Sequence, residues 1–191
     1  MKIAEIEYTP NPDAVKFILD QPITQGGMTR SFESADQAEG TPLAEQILAI
    51  DHVKSAFFAD RWITVTQDGD ADWHGLLREI AEPIRAAEYD DAQPEIGAGG
   101  GVGGDDDLEL GDDALDDPRV DHIREVIGEQ ILPYLQGDGG GLELKALVDN
   151  QLMIRYQGAC GTCPASLSGT LMAIENLIQS EVDPDITVVS V

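Results

Sequence analysis

The sequence is poor in cysteine and histidine, the ligands of softer metals, and in the cations that hold nucleic acids. Its 191 residues include two cysteines and three histidines, and 11 Lys+Arg face 37 Asp+Glu for a formal net charge of -26. So few cations against so many carboxylates repel phosphate backbones and anionic lipid heads, and neither nucleic acid nor membrane is expected as a partner. No apolar run approaches the ~20 residues that span a bilayer. The N-terminus, MKIAEIEYTPNPDAVKF, has neither a basic start followed by an apolar stretch nor the Arg/Ser richness of a transit peptide. The expectation is a soluble, cytoplasmic protein, or a mature form already trimmed. In such a reducing compartment a lone pair of cysteines three apart points to chemistry and away from a structural disulfide.

What the chain does have is an ordinary apolar fraction, 42%, enough for one medium domain or two small ones. Between Asp90 and Asp117 lie eleven acids and no Lys or Arg, around the glycine clusters Gly99–Gly101 and Gly103–Gly104. Like charges and glycine together predict an extended tether. No Gly-Lys-Ser/Thr follows the glycines to make a phosphate loop, and Leu110 stands where a calcium loop needs its turn glycine. The expected layout is therefore a domain at 1–89, an acidic Gly-rich linker at 90–117 and a domain at 118–191.

In the first domain, strands are expected at Ile3 to Tyr8 and Val15 to Leu19, separated by Thr9-Pro10-Asn11-Pro12. Thr41 is placed to cap a helix with Pro42 in its first position. Val53 to Phe58 and Trp62 to Thr66 read as a hairpin about Ala59-Asp60. A helix after Asp72 repeats Trp73, Leu76, Leu77, Ile80 and Ile84, with Pro83 expected to kink or shorten it. Trp62 and Trp73 read as core residues. The second domain has a helix from Asp117-Pro118 through Ile123, Ile127 and Ile131 that Pro133 should end. A turn follows at Gln136–Gly141, then strands through Leu142, Leu144, Ala146 and Val148 and through Leu152, Ile154 and Tyr156, joined at Asp149-Asn150. Leu167, Leu171, Ile174 and Ile178 make one helical stripe, and Ile186 to Val191 a last strand. The fold class is α+β, two small sandwich-like domains, with the order α-β-β-α-β in the second.

The chemistry sits in Gly158-Ala159-Cys160-Gly161-Thr162-Cys163-Pro164. Pro164 as the first residue of a helix would leave both cysteines at its N-terminus, where the dipole and open N–H groups favour thiolates turned outward. Three readings are open. A dithiol redox site is one, although proline directly after the second cysteine departs from the usual placement of such pairs. A zinc site is another, although zinc takes about four ligands and His52, His74 and His122 stand at no ligand spacing. The third is half of an iron–sulfur site. Clusters take about four thiolates, so two chains about a two-fold axis could close one that a single chain cannot.

The stretch Ile131-Leu132-Pro133-Tyr134-Leu135 with Asp138-Gly139-Gly140, then the cysteine segment and Thr170-Leu171, resembles the NifU-like domain of the Nfu family. The first half resembles the Nfu N-terminal domain in Tyr8-Thr9-Pro10-Asn11-Pro12, the Phe17 strand, Pro42-Leu43-Ala44 and the hairpin holding Phe57-Phe58 and Ile63-Thr64-Val65-Thr66. The resemblance implies a carrier of a [4Fe-4S] cluster, with [2Fe-2S] as the alternative. The cluster would be held by Cys160 and Cys163 of two chains in a homodimer, received from cluster assembly machinery and given to apo iron–sulfur proteins. No catalytic residue is implied, and the protein is not expected to be an enzyme. The long acidic linker departs from the family pattern and suggests a tethered pair of domains.

Overall fold

The hydrophobic spacing of the first domain dictates a sheet with one face for helices. The computed structural model describes residues 1–24, 28–93, 115–162 and 169–191, and the chain divides into two units, Met1–Asp105 and Asp106–Val191. In the first unit, strands β1 (Ile3–Tyr8), β2 (Ala14–Leu19), β3 (Thr29–Phe32), β4 (Val53–Ala59) and β5 (Trp62–Gln67) form one sheet in the order β1-β2-β5-β4-β3. Every pairing is antiparallel. The register lines up Phe17 with Ile63, and Ile63 with Phe58, so alternate residues build one apolar face. Helices α2 (Pro42–Leu48) and α3 (Trp73–Ala86) cover it with Leu43, Ile47, Leu76, Ile80 and Ile84. Each such fully buried side chain contributes about 1.5–3 kcal/mol of transfer free energy.

The TPNP turn is held by its own side chains. Thr9 Oγ1 donates to the Ala14 carbonyl at 3.0 Å, and Asn11 Oδ1 accepts from the Asp13 N–H at 3.0 Å. Trp73, half-buried, donates from Nε1 to the Pro12 carbonyl at 2.9 Å, which pins α3 to that turn.

Several local expectations change. Strand β3 and the short helix α1 (Ala35–Ala38) carry too little apolar patterning to announce themselves. Thr41 stands at the N-cap of α2 without a capping bond, because its Oγ1 accepts from Arg30 Nη2 at 2.6 Å. Pro83 lies inside α3, which continues to Ala86. The segment expected to open the linker is folded at its start. Asp90–Ala92 forms a 3-10 turn, Arg30 Nη1 donates to the Ala92 carbonyl at 2.7 Å, and Gln93 Nε2 donates to the Ile23 carbonyl at 2.6 Å. Acidic composition there masks one apolar anchor, Ala92, that the core takes in. The rest of the expected tether, from residue 94 to 114, lies outside the described residues.

The second unit runs α4 (Arg119–Gln130), α5 (Leu132–Gly137), β6 (Gly140–Val148), β7 (Gln151–Gly158), α6 (Leu171–Glu181) and β8 (Thr187–Ser190). β6 pairs β7 antiparallel, and β7 pairs β8 in parallel after the α6 crossover. Val120, Ile123 and Ile127 of α4 and Ile174 and Ile178 of α6 pack on Leu152, Ile154 and Tyr156 of β7. The expected order α-β-β-α-β is present with α5 added. Pro133 sits at the start of α5, where a proline is tolerated, so the chain re-enters a helix where a turn had been expected. The helix expected to start at Pro164 is described from Leu171 onward. Pro164 and Leu167 lie outside the described residues.

The inward set on β6 also changes. A bulge between Leu144 and Ala146 advances the register by one residue, so Leu147, not Val148, pairs with the core residue Leu152. A one-residue shift flips the faces beyond it, and Val148 is 46% exposed.

The Asp149-Asn150 turn, with Asp149 at φ 53°, is tied down by Arg119. The Arg119 guanidinium donates to both Asp117 carboxylate oxygens, to Asp183 Oδ2 at 2.7 Å, to Asn150 Oδ1 at 2.9 Å and to the Asp149 carbonyl at 2.8 Å. One side chain thus joins the start of α4, the hairpin turn and the segment after α6. The hydrogen bonds from Arg119 hold the Asp117 carboxyl down at about 2. Asp183 is also lowered, by the Asp185 N–H and then by Arg119. Carboxylates lowered from an unfolded value of about 3.9 stabilise the fold above that pH and lose the effect as pH falls toward 2. Arg119→Ala is expected to lower the thermal midpoint of this unit near neutral pH and to make its acid destabilisation between about pH 4 and 2 shallower. Amide resonances of β7 followed through melts at several pH values check this, and parallel curves for variant and parent would show that the clasp carries no stability.

Candidate cysteine site

The site is built where β7 runs out. Gly158, its last residue, has φ 61°, a left-handed conformation open to glycine, and turns the chain away from the sheet. The Gly161 N–H then returns to the Gly158 carbonyl at 3.1 Å, and the Ala159 N–H reaches the Gly139 carbonyl at 3.2 Å. Cys160 therefore sits at the tip of a tight turn anchored to both strands of the hairpin.

Its sulfur is directed inward. Cys160 is 2% exposed and belongs to the second unit's apolar core. For Cys160 this corrects the expectation of a thiolate turned outward. Gly140, the first residue of β6, has no side chain, and the sulfur occupies the space that one would fill. A Cβ built on Gly140 would collide with Cys160 Sγ and lie 2.7 Å from the Gln157 carbonyl and 2.9 Å from Cys160 Cβ. The sequence reading took Gly139 and Gly140 as turn residues. Gly139 is one, at φ 81°, whereas Gly140 is the floor under the cysteine.

Cys163, the other candidate ligand, lies outside the described residues. Tyr156 is a neighbour that sequence pattern marks only as a strand residue. It is 4% exposed, and its hydroxyl has no hydrogen-bond partner. Burial, and then the negative charge of Cys160, push the phenol up to about 12. Each histidine has its own surroundings. His52 is an exposed residue paired with Asp68 at 3.1 Å, and that hydrogen bond raises its pKa. His74 and His122 are exposed on α3 and α4. Among the described residues no three His, Cys, Asp or Glu side chains come together as a metal site.

The chain thus joins an antiparallel α+β unit to an α+β unit whose hairpin ends in a glycine-framed cysteine turn. Residues 3–89 match the family model "Scaffold protein Nfu/NifU N terminal", and residues 123–189 match the "NifU-like domain". The human protein named "NFU1 iron-sulfur cluster scaffold homolog, mitochondrial" is 32% identical over 179 residues, covering 92% of this chain and 66% of that one. The protein of the same name from Drosophila persimilis is 28% identical over 181 residues, covering 92% of this chain and 60% of its own. The chain therefore spans only 60 to 66% of the length of these relatives. A crystal structure of a Staphylococcus aureus protein aligns with 44% of this chain and 99% of its own, at 27% identity and a TM-score of 0.40. The chain belongs to the Nfu family of iron–sulfur cluster scaffold proteins.

Gly140→Ala tests the floor of the site. Overpacking a filled position costs about 1–3 kcal/mol, and here two of the three nearest atoms belong to the cysteine itself. The second unit is expected to lose stability by that order in urea denaturation. Gly137→Ala, which meets nothing within 4 Å, serves as the near-neutral control. Equal midpoints for the two variants would mean that the sulfur moves aside without cost.

Proposed function

We propose that this protein carries an iron–sulfur cluster as cargo, held by Cys160 and Cys163 of two chains, and passes it to apo-proteins. The observation that carries the reading is the cysteine turn itself, anchored to both hairpin strands and bedded on bare glycine backbone. The family supports it, since its relatives are named as iron–sulfur cluster scaffolds. Cysteine arithmetic supplies the two-chain arrangement. Clusters take about four thiolates, the chain has two, and a homodimer brings two cysteine turns to one cluster. A [4Fe-4S] cluster takes that number of ligands, and a [2Fe-2S] cluster takes the same number.

Cluster chemistry also suits cysteine ligands. Thiolate is the ligating form of cysteine, and iron is the kind of soft partner that a thiolate takes. A cluster bridging two chains leaves when they separate, which serves delivery and makes substrate turnover unnecessary. Cluster assembly machinery would be the donor, apo iron–sulfur proteins the recipients, and the first unit a means of choosing among them. Such exchange requires a reducing compartment such as the cytoplasm.

The test is anaerobic reconstitution with iron and sulfide, followed by gel filtration with iron and sulfide measured on each peak. A coloured dimer with about four irons per pair of chains is expected, with iron lost in Cys160→Ser and Cys163→Ser while their far-UV spectra are kept. A colourless monomer, or a serine variant with full iron content, would overturn the proposal.

A further inference from the structure

Among the described residues of the second unit, the Tyr156 hydroxyl is a buried side-chain polar group without a hydrogen-bond partner. A buried hydroxyl that makes no hydrogen bond costs roughly 1–3 kcal/mol, and phenylalanine would fill the same space without that cost. Sheet register fixes where the phenol lies. Gly140 pairs with Gly158, and Leu142 pairs with Tyr156, with no bulge between the two rows. The direction in which Gly140 would project a side chain is the direction of Cys160 Sγ. Residues two apart on a strand share a face, so Leu142, and Tyr156 opposite it, project to the side on which that sulfur lies. The rows stand roughly 7 Å apart along the strand, within the length of a tyrosine side chain. The turn also folds back toward Tyr156, since a Cβ at Gly161 would lie 3.3 Å from the Tyr156 carbonyl. Both Tyr156 and Cys160 belong to one core cluster.

We infer that the Tyr156 hydroxyl is the hydrogen-bond donor to the Cys160 sulfur when that sulfur ligates the cluster. The inference rests on the cluster reading above. A ligating thiolate keeps lone pairs besides the one given to iron, and the phenol on the core side would donate to one of them. The hydrogen bond is not made in the structure as it stands; it closes when the sulfur bears the charge of a ligand. Hydrogen bonds to ligand sulfur withdraw electron density from iron and raise the cluster's reduction potential. Tyr156 is thus a tuning residue that leaves the number of ligands unchanged and alters how firmly one of them holds.

The test compares the anaerobically reconstituted full-length protein with its Tyr156→Phe variant. The variant is expected to keep its far-UV spectrum and iron content, to move to a more negative reduction potential, and to lose part of the D2O-induced shift of its iron–cysteine stretching bands in resonance Raman spectra. An unchanged potential together with an unchanged D2O shift would overturn the inference while leaving the cluster reading intact. A wild-type protein that takes up no iron would overturn both. Should the variant fail to fold, fluorotyrosine-labelled wild-type protein decides by 19F NMR: the chain has four tyrosines, and the signal of the buried one should move on cluster loading. A buried signal that stays in place would overturn the inference.

Discussion

The second unit depends on one steric fact: the sulfur of Cys160 needs room against the backbone of the neighbouring strand, and only a residue without a side chain gives it. Gly140 has to begin β6 directly opposite Gly158, which sets the register of the hairpin from its open end. Gly139 then takes a positive φ to bring its carbonyl under the Ala159 N–H. The three glycines are separate solutions to one problem, the seating of a large polarizable atom at the end of a two-stranded ladder. A hairpin specified only by its apolar pattern could slide; one whose end must admit a sulfur cannot slide without a collision.

The first unit is organised on a different principle. Its centre is a stripe of aromatic and β-branched residues, with the Phe32 and Phe58 rings edge to face at 5.0 Å. A partly buried cation, Arg30, lies over the Phe32 ring and gathers carbonyl and hydroxyl oxygens from Ala92 and Thr41. Desolvation lowers its pKa, and the hydrogen bonds it makes offset the cost of taking the guanidinium out of water. The chain after α3 is thereby fastened back to the sheet before it enters the acidic segment.

Much of this was legible in the sequence because period and punctuation agree. The alternation Val15, Phe17, Leu19 and the helical repeat Leu76, Ile80, Ile84 each have a single way to bury their apolar atoms. The Asp149-Asn150 turn and the α4 start at Asp117-Pro118 follow from the chemistry of those residues. What escaped has identifiable causes. The bulge near Lys145 leaves no mark because Ala146, Leu147 and Val148 run apolar together after it, so a shift of face there goes unseen and Val148 read as core. Thr41 has the chemistry of a cap, but a distant guanidinium claimed its oxygen. At the site, the cysteine spacing and the glycines were visible, while the inward direction of the Cys160 sulfur and the nearness of Tyr156 arise only when β6 and β7 pair. Cys163 stands outside the described residues, so half of the candidate ligand set is known from sequence alone.

The Arg119 clasp and the cysteine turn occupy opposite ends of the same hairpin, separated by the eight residues of β7, or roughly 25 Å of strand. That separation makes the ladder a cantilever, with its fixed support at the charged end and its working tip at the sulfur. Openings that begin at the tip need not spread through the charged end, so the turn can loosen and close while the helices stay packed. Under the proposed carrier role, the place where a load is taken up would differ from the place where the unit is held together.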